Sequence, residues 1–142
     1  MDCVFCKIIH RELPSETLLE TDKVIVILDI NPINDGHALV IPKTHCENFW
    51  AVGAEFYSEI LQAIHRASQA ICKVTQCTDF NILQNNGACA GQDVFHVHFH
   101  IIPRHENDGV KFGFKPKKYK KDRMATLGED IRLQLNRDSH AY

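Results

Sequence analysis

Residues 94–102 read Val94-Phe95-His96-Val97-His98-Phe99-His100-Ile101-Ile102, and from Phe95 to Ile101 every second residue is a histidine. Side chains two apart on a β-strand share a face, so His96, His98 and His100 are expected to line one surface. Phe95, Val97, Phe99 and Ile101 then face the other way and suit a core. A single strand histidine is most often structural. Three in register are different, because groups that titrate near neutrality repel one another once more than one is charged. The pattern therefore predicts a strand with a cleft, an interface or a metal on its histidine face.

Working outward, Gln84-Asn85-Asn86-Gly87-Ala88-Cys89-Ala90-Gly91-Gln92 precedes this strand and is too rich in asparagine and glycine for a helix interior. Loops of this kind often carry function. Before it lies a strand at Phe80-Asn81-Ile82-Leu83. Apolar positions 49, 52, 56, 60, 64, 67, 71 and 74 step by three or four, which predicts one main helix between Phe49 and Val74. Further upstream, Leu18-Leu19, Val24 to Leu28 and Ala38 to Ile41 read as strands, the first two as a hairpin and the third ending at Pro42. Residues 4–13 predict a short helical turn. The chain is accordingly expected to be α+β, an antiparallel sheet of about five strands with one main helix packed on it.

After Pro103 the chain turns polar, and Met124, Leu127, Ile131 and Leu135 give a weak helical pattern over 124–136 that contains Gly128. Residues 111–123 hold seven of the 16 basic residues and one acidic residue, which leaves a net −8 elsewhere. This segment reads as a solvated basic stretch or as a phosphate-contacting surface. With 142 residues and no repeat or linker, the chain is expected to form one domain over 1–142. A total net charge of −2 gives no chain-wide case for nucleic acid or an anionic membrane as partner. No run of about 18 apolar residues is present and the start, MDCVFCKIIHREL, breaks any secretory apolar region, which predicts a soluble cytoplasmic protein. Six cysteines in that setting read as reduced thiols or metal ligands. Cys3-Val4-Phe5-Cys6 by itself is a zinc half-site, a redox pair or chance, although residues 1–6 cannot supply the strand that precedes a thioredoxin-like motif.

His96-Val97-His98-Phe99-His100-Ile101-Ile102 resembles the His-x-His-x-His-x-x signature of the histidine triad superfamily of nucleotidyl hydrolases and transferases. The resemblance extends through Phe5-Cys6-Lys7-Ile8-Ile9, Leu28-Asp29-Ile30-Asn31-Pro32, Gly36-His37, Val40 to His45, Asn85-Asn86-Gly87 and Gly91-Gln92, and is greatest to the Hint-like branch, including its bacterial members. A histidine at position 100, where the galactose-1-phosphate uridylyltransferase branch has glutamine, points to hydrolysis.

The resemblance implies that His98 is a nucleophile for the α-phosphorus of a purine, most simply adenosine, nucleotide conjugate such as a phosphoramidate. His96 would orient it through its backbone carbonyl, and His100, Asn85 and the backbone of Gly91, Gln92 and Asp93 would donate to phosphate oxygens. Asp29 matches a ribose-binding acid, beside the plainer reading of a strand-end turn residue. Phe5, Ile8, Leu13, Ile27 and Ile30 align with positions that enclose the base, and each is equally compatible with ordinary core. His37 matches a histidine near the same cleft, in a supporting or structural role. Cys3, Cys6, His45 and His96 match the ligands of a structural zinc, with no catalytic metal or organic cofactor implied. A symmetric homodimer is implied as well. Two positions depart from the branch: Asp93 stands where a serine usually contacts the leaving group, and the only tryptophan is Trp50, on the expected helix rather than at the C-terminus. The other readings of the same residues are a dinucleoside polyphosphate hydrolase and a zinc-stabilised nucleotide-binding or interaction protein with incidental turnover.

Overall fold

The structure is a computed structural model that describes residues 2–138, so residue 1 and residues 139–142 of the expected 1–142 domain lie outside the described residues. The chain divides into two compact units, residues 1–110 and 111–142. The first holds a five-stranded sheet: β1 (Thr17–Glu20), β2 (Val24–Leu28), β3 (Ala38–Pro42), β4 (Asp79–Leu83) and β5 (Phe99–Arg104). Their order is β1-β2-β3-β5-β4 and every neighbouring pair is antiparallel.

The continuous apolar runs of β2 and β3 are explained by what covers each face. Val24, Val26, Ala38, Val40, Val97 and Ile101 pack with Phe56, Ile60, Ala63, Ile64, Ala67 and Ile71 of the long helix α2 (Ala54–Thr75). Ile25, Ile27, Leu39 and Ile41 pack on the other face with Cys3, Phe5 and Ile8, from the short helix α1 (Val4–Ile9) and the residue before it. A strand covered on both faces has no solvent side to keep polar, hence the runs rather than an alternation. An ion-pair chain of Arg11, Glu20 and Lys43 ties the end of α1 to the sheet.

Three expectations are corrected in detail. The last strand begins at Phe99 rather than Val94 and runs through Pro103 to Arg104. In the lead-in, the His96 N–H donates to the Val94 carbonyl at 2.9 Å, a turn too tight for a ladder, and Phe95 is rotated outward to 47% exposure instead of joining the core. From His96 onward the alternation holds, because Val97 N–H donates to the Cys46 carbonyl at 2.7 Å and Val97 is buried against α2. The helix begins at Ala54, not Phe49: residues Phe49–Ala51 form a separate 3₁₀ turn capped by the Asn48 side chain, and Gly53 separates the two. Trp50 therefore sits in that turn, 93% exposed. The C-terminal unit carries the helix α3, which runs over Arg123–Asp138, slightly beyond the expected 124–136. Residues 111–120 before it have no regular structure.

Gly36 positions the turn that enters β3. Its φ is +85°, and a Cβ there would lie 2.8 Å from Thr75 Cγ2 and 3.1 Å from Ile71 Cγ2 at the end of α2. Gly36→Ala is expected to destabilise the protein by at least about 2 kcal/mol, from backbone strain added to overpacking. Urea unfolding of the variant checks this, and an unchanged midpoint would contradict the packing described.

Candidate functional site

The site is built on the α1 face of β3 and β5 and on the lead-in to β5. Leu39 pairs with His100 across the two strands, which directs His100 to the face that carries Leu39 and Ile41. His96, His98 and His100 share that face, but they do not share one environment.

His96 is fully buried. Its Nε2 donates to the Pro42 carbonyl at 2.8 Å, so the lone pair is on Nδ1. That nitrogen lies 3.4 Å from Cys3 Sγ, 3.6 Å from Cys6 Sγ and 3.3 Å from His45 Nδ1, while Cys6 Sγ and His45 Nδ1 are 3.4 Å apart. The four ligand atoms all lie within 4.8 Å of one another. A tetrahedral ion with bonds of about 2.3 Å to sulfur and about 2.0–2.1 Å to nitrogen separates its donors by about 3.3–3.8 Å, so the cluster has the size of a metal site. Burial, and then the neighbouring Cys3, push the Cys6 thiol above its ordinary pKa, and a cation is what would make this pair of thiolates stable.

His98 is buried beside Phe5, with ring centroids 5.1 Å apart, and its Nδ1 lies 2.7 Å from the His96 carbonyl oxygen. A carbonyl only accepts, so Nδ1 carries the proton and neutral His98 presents an unprotonated Nε2. The His100 ring stands 4.9 Å away, edge to face. His100 Nδ1 lies 2.9 Å from Nε2 of the buried His37, and Asp29 Oδ2 lies 3.7 Å from that same Nε2. Burial pushes His100 down to about 4, with His98 and His37 acting in the same direction and Asp29 and Asp93 opposing. His37 is also lowered, mainly by burial.

The loop before β5 is locked by its own side chains. Gln92 Oε1 accepts the Gly87 N–H at 2.7 Å, and Gln92 Nε2 donates to the carbonyls of Glu47 at 2.7 Å and Val94 at 3.1 Å. The backbone N–H groups of Gly91 and Gln92 donate to Ala88 and Gly87 carbonyls, and Asn85 Nδ2 donates to the Gly91 carbonyl at 3.2 Å. Asp93 is exposed at the mouth of the loop. Asp29 Oδ1 accepts the Asn31 N–H at 2.8 Å, the strand-end turn that the sequence allows, and its other oxygen is the one turned to His37. Among the residues aligned with a base slot, Phe5, Ile8 and Ile27 are brought together in the core, Leu13 is exposed, and Ile30 is 89% exposed. A groove of about 740 Å³ lies on the other face, lined by Leu18, Leu28, Arg66, Ala70, Ile71 and His105, and none of the three triad histidines borders it.

The profile of the HIT domain, the histidine triad family, matches residues 10–107. The chain belongs to this family. Among HIT proteins it is 39% identical to the adenosine 5′-monophosphoramidase hnt1 of Schizosaccharomyces pombe over 136 residues, 95% of this chain and 99% of that one. A crystal structure of a HIT family member from Bacillus subtilis superposes with a TM-score of 0.87 at 38% identity, covering 93% of this chain and 96% of that one. The structure of a Zn-bound histidine triad family protein from Mycobacterium smegmatis gives a TM-score of 0.74 at 32% identity and covers 100% of this chain and 99% of that one. The antiparallel sheet with one main helix is thus the HIT fold, and the Hint-like resemblance holds.

The depressed His100 and His37 make a HIT fold of this kind acid-sensitive. Both pKa values are lowered from 6.5, so below that value the unfolded chain binds protons that the folded chain does not. The stability these groups contribute is fully present above pH 6.5 and is lost as pH falls toward about 4. Denaturation midpoints measured in steps across this window should fall on acidification. A midpoint that rises or stays level would contradict buried neutral imidazoles.

Proposed function

We propose that this HIT protein is a nucleotidyl hydrolase that cleaves at the α-phosphate of adenosine nucleotide conjugates, phosphoramidates foremost, through a covalent intermediate on His98. The observation that carries it is the bond from His98 Nδ1 to the His96 carbonyl, which leaves Nε2 bare beside the His100 ring. In the first step the Nε2–phosphorus bond forms and the bond from phosphorus to the leaving nitrogen breaks, the amine taking a proton from solvent water as it departs. In the second, water attacks phosphorus, the Nε2–phosphorus bond breaks and its electron pair returns to Nε2, the attacking water gives a proton to solvent, and adenosine monophosphate leaves. His100 and Asn85 donate to the phosphoryl oxygens, where charge accumulates in both steps. His96 contributes its carbonyl to the first step and its ring to the metal cluster. Asp29 receives the ribose hydroxyls, and Phe5, Ile8, Leu13, Ile27 and Ile30 border the base.

The name of the fission yeast relative, an adenosine 5′-monophosphoramidase, supports this choice of substrate. Dinucleoside polyphosphates are the second reading. They use the same residues with a larger leaving group, and Asp93, exposed where the branch has a serine, removes that serine's contact with a leaving nitrogen while adding a carboxylate that repels phosphate oxygens when ionised. A nucleotide-binding protein with incidental turnover is the reading to be excluded.

The metal is zinc, held by Cys3, Cys6, His45 and His96 as a closed structural site, supported by the donor spacing and by the Zn-bound relative. It pins the N-terminal segment next to the histidines and leaves His98 and His100 to the phosphate. The chain pairs as a homodimer in the cytoplasm: Phe80 and Ile82 on the edge strand β4, with Tyr57 and Leu61 on α2, are exposed apolar residues suited to an isologous contact. Among the described residues no helix is long and apolar enough to cross a membrane.

The test is to mix the protein with adenosine 5′-phosphoramidate, quench, and follow both released adenosine monophosphate and intact protein mass. A transient adenylyl adduct with steady nucleotide release is expected. Release from a dinucleoside polyphosphate alone would move the substrate to the second reading. Nucleotide binding without turnover on either substrate would overturn the hydrolase.

A further inference from the structure

The chain of polar contacts behind His100 starts at a backbone amide. Asp29 N–H donates to the His37 carbonyl at 2.9 Å and His37 N–H to the Asn34 carbonyl at 3.0 Å, which closes residues 29–37 into a compact turn. The turn aims the Ile33 N–H at His37 Nδ1, 3.1 Å away. An amide N–H can only donate, so Nδ1 of His37 is the acceptor and the proton of the neutral ring is on Nε2. That Nε2 faces His100 Nδ1 at 2.9 Å, a separation that requires one proton between the two nitrogens. His37 supplies it, His100 Nδ1 accepts it, and the proton of neutral His100 must be on its own Nε2. Both rings are held neutral by burial. Asp29 Oδ2, at 3.7 Å, is too far to take the His37 proton as an ordinary hydrogen bond, yet its charge favours finding the proton at Nε2.

We propose that His37 is a positioning residue that fixes the tautomer of His100, relaying the Ile33 N–H through two imidazoles so that His100 presents an N–H, not a lone pair, to the phosphoryl group. The proposal rests on the reading of His98 as nucleophile. Its consequence is that two adjacent imidazoles are set in opposite tautomers by two backbone groups of opposite polarity. The His96 carbonyl strips the proton from the outer nitrogen of His98, and the Ile33 amide, through His37, places one on the outer nitrogen of His100. With the other tautomer, His100 would offer a lone pair to a phosphate oxygen, and a donor would become a repulsive contact. Neither triad residue could exchange roles with the other without moving its backbone partner.

The experiment is long-range ¹H–¹⁵N correlation NMR on the metal-loaded, histidine-labelled protein, which reads the tautomer of each ring, joined to steady-state kinetics with adenosine 5′-phosphoramidate. Wild type is expected to show His98 as the Nδ1–H form and His100 as the Nε2–H form. His37→Leu removes the donor and should release His100 into a mixture of tautomers, with kcat lowered by about 10- to 100-fold and KM little changed. His37→Gln places an amide N–H at a similar reach and should restore both the tautomer and most of kcat. A wild-type His100 in the Nδ1–H form overturns the proposal without any variant, so failure of His37→Leu to fold does not leave it open. A His100 tautomer indifferent to His37→Leu overturns it too, as does a tautomer change without loss of kcat. If wild type hydrolyses no nucleotide conjugate while the spectra show the expected tautomers, the hydrolase reading falls and the relay stands.

Discussion

With His98 as the proposed nucleophile, His98→Ala is expected to remove the adenylyl adduct and to lower kcat for adenosine monophosphate release by about 10⁴-fold or more, the scale on which loss of a covalent nucleophile is felt. The size follows from the absence of a substitute. His100 stands 4.9 Å away, ring to ring, but its Nδ1 is engaged with His37, and His96 turns its ring to the cysteines and to Pro42. Nucleotide binding is expected to survive, because Asp29, Asn85 and the apolar wall are untouched. Calorimetric titration with adenosine monophosphate, run beside the quenched mass measurement, separates the two effects. Equal loss of binding and turnover would mean that His98 holds the nucleotide rather than attacks it, and an adduct that persists in the variant would place the nucleophile elsewhere.

Removal of the proposed zinc is the second large expected effect. The purified protein is expected to hold one zinc per chain, and a strong chelator or the double change Cys3→Ser with Cys6→Ser should lower Tm by about 10 °C or more, since structural zinc contributes many kcal/mol where its ligands come from distant segments. Here the ligands do: Cys3 and His96 are 93 residues apart in sequence, and Cys6 and His45 are 39 apart. Without the ion the raised thiol of Cys6 and three nearby donors, of which Cys3 and His96 are buried and His45 is exposed, stay as an uncompensated polar cluster, and Phe5, which packs on both His96 and His98, loses its anchor. Turnover should fall along with stability for that reason. Elemental analysis and scanning calorimetry check this. A metal-free protein with an unchanged Tm on chelation would refute the site.

Much of the molecule was legible because it rests on short periods. The two-residue period of the histidine segment, the three-to-four spacing of α2 and the double-sided apolar runs of β2 and β3 each encode a local shape and a buried face. Errors arose where a backbone hydrogen bond interrupted a period. The Val94–His96 turn delayed β5 and expelled Phe95, and the Asn48 cap split Phe49–Ala51 and Trp50 from α2. The weak amphipathic pattern after the basic segment was legible too, with α3 found at Arg123–Asp138 after the irregular residues 111–120.

By itself, then, the sequence determined the element types and the face that each triad histidine shares, because side-chain identity and spacing are local facts, whereas the donors Cys3, Cys6, His45 and His96 followed only from the family resemblance. Only the tertiary structure decided which backbone group each imidazole meets: the Pro42 carbonyl for His96, the His96 carbonyl for His98 and the Ile33 amide for His37, which in turn faces His100. Every residue but proline carries the same backbone groups, so no sequence pattern can mark which carbonyl or amide will point at a ring. That choice is made when the sheet and the 29–37 turn close around the histidines.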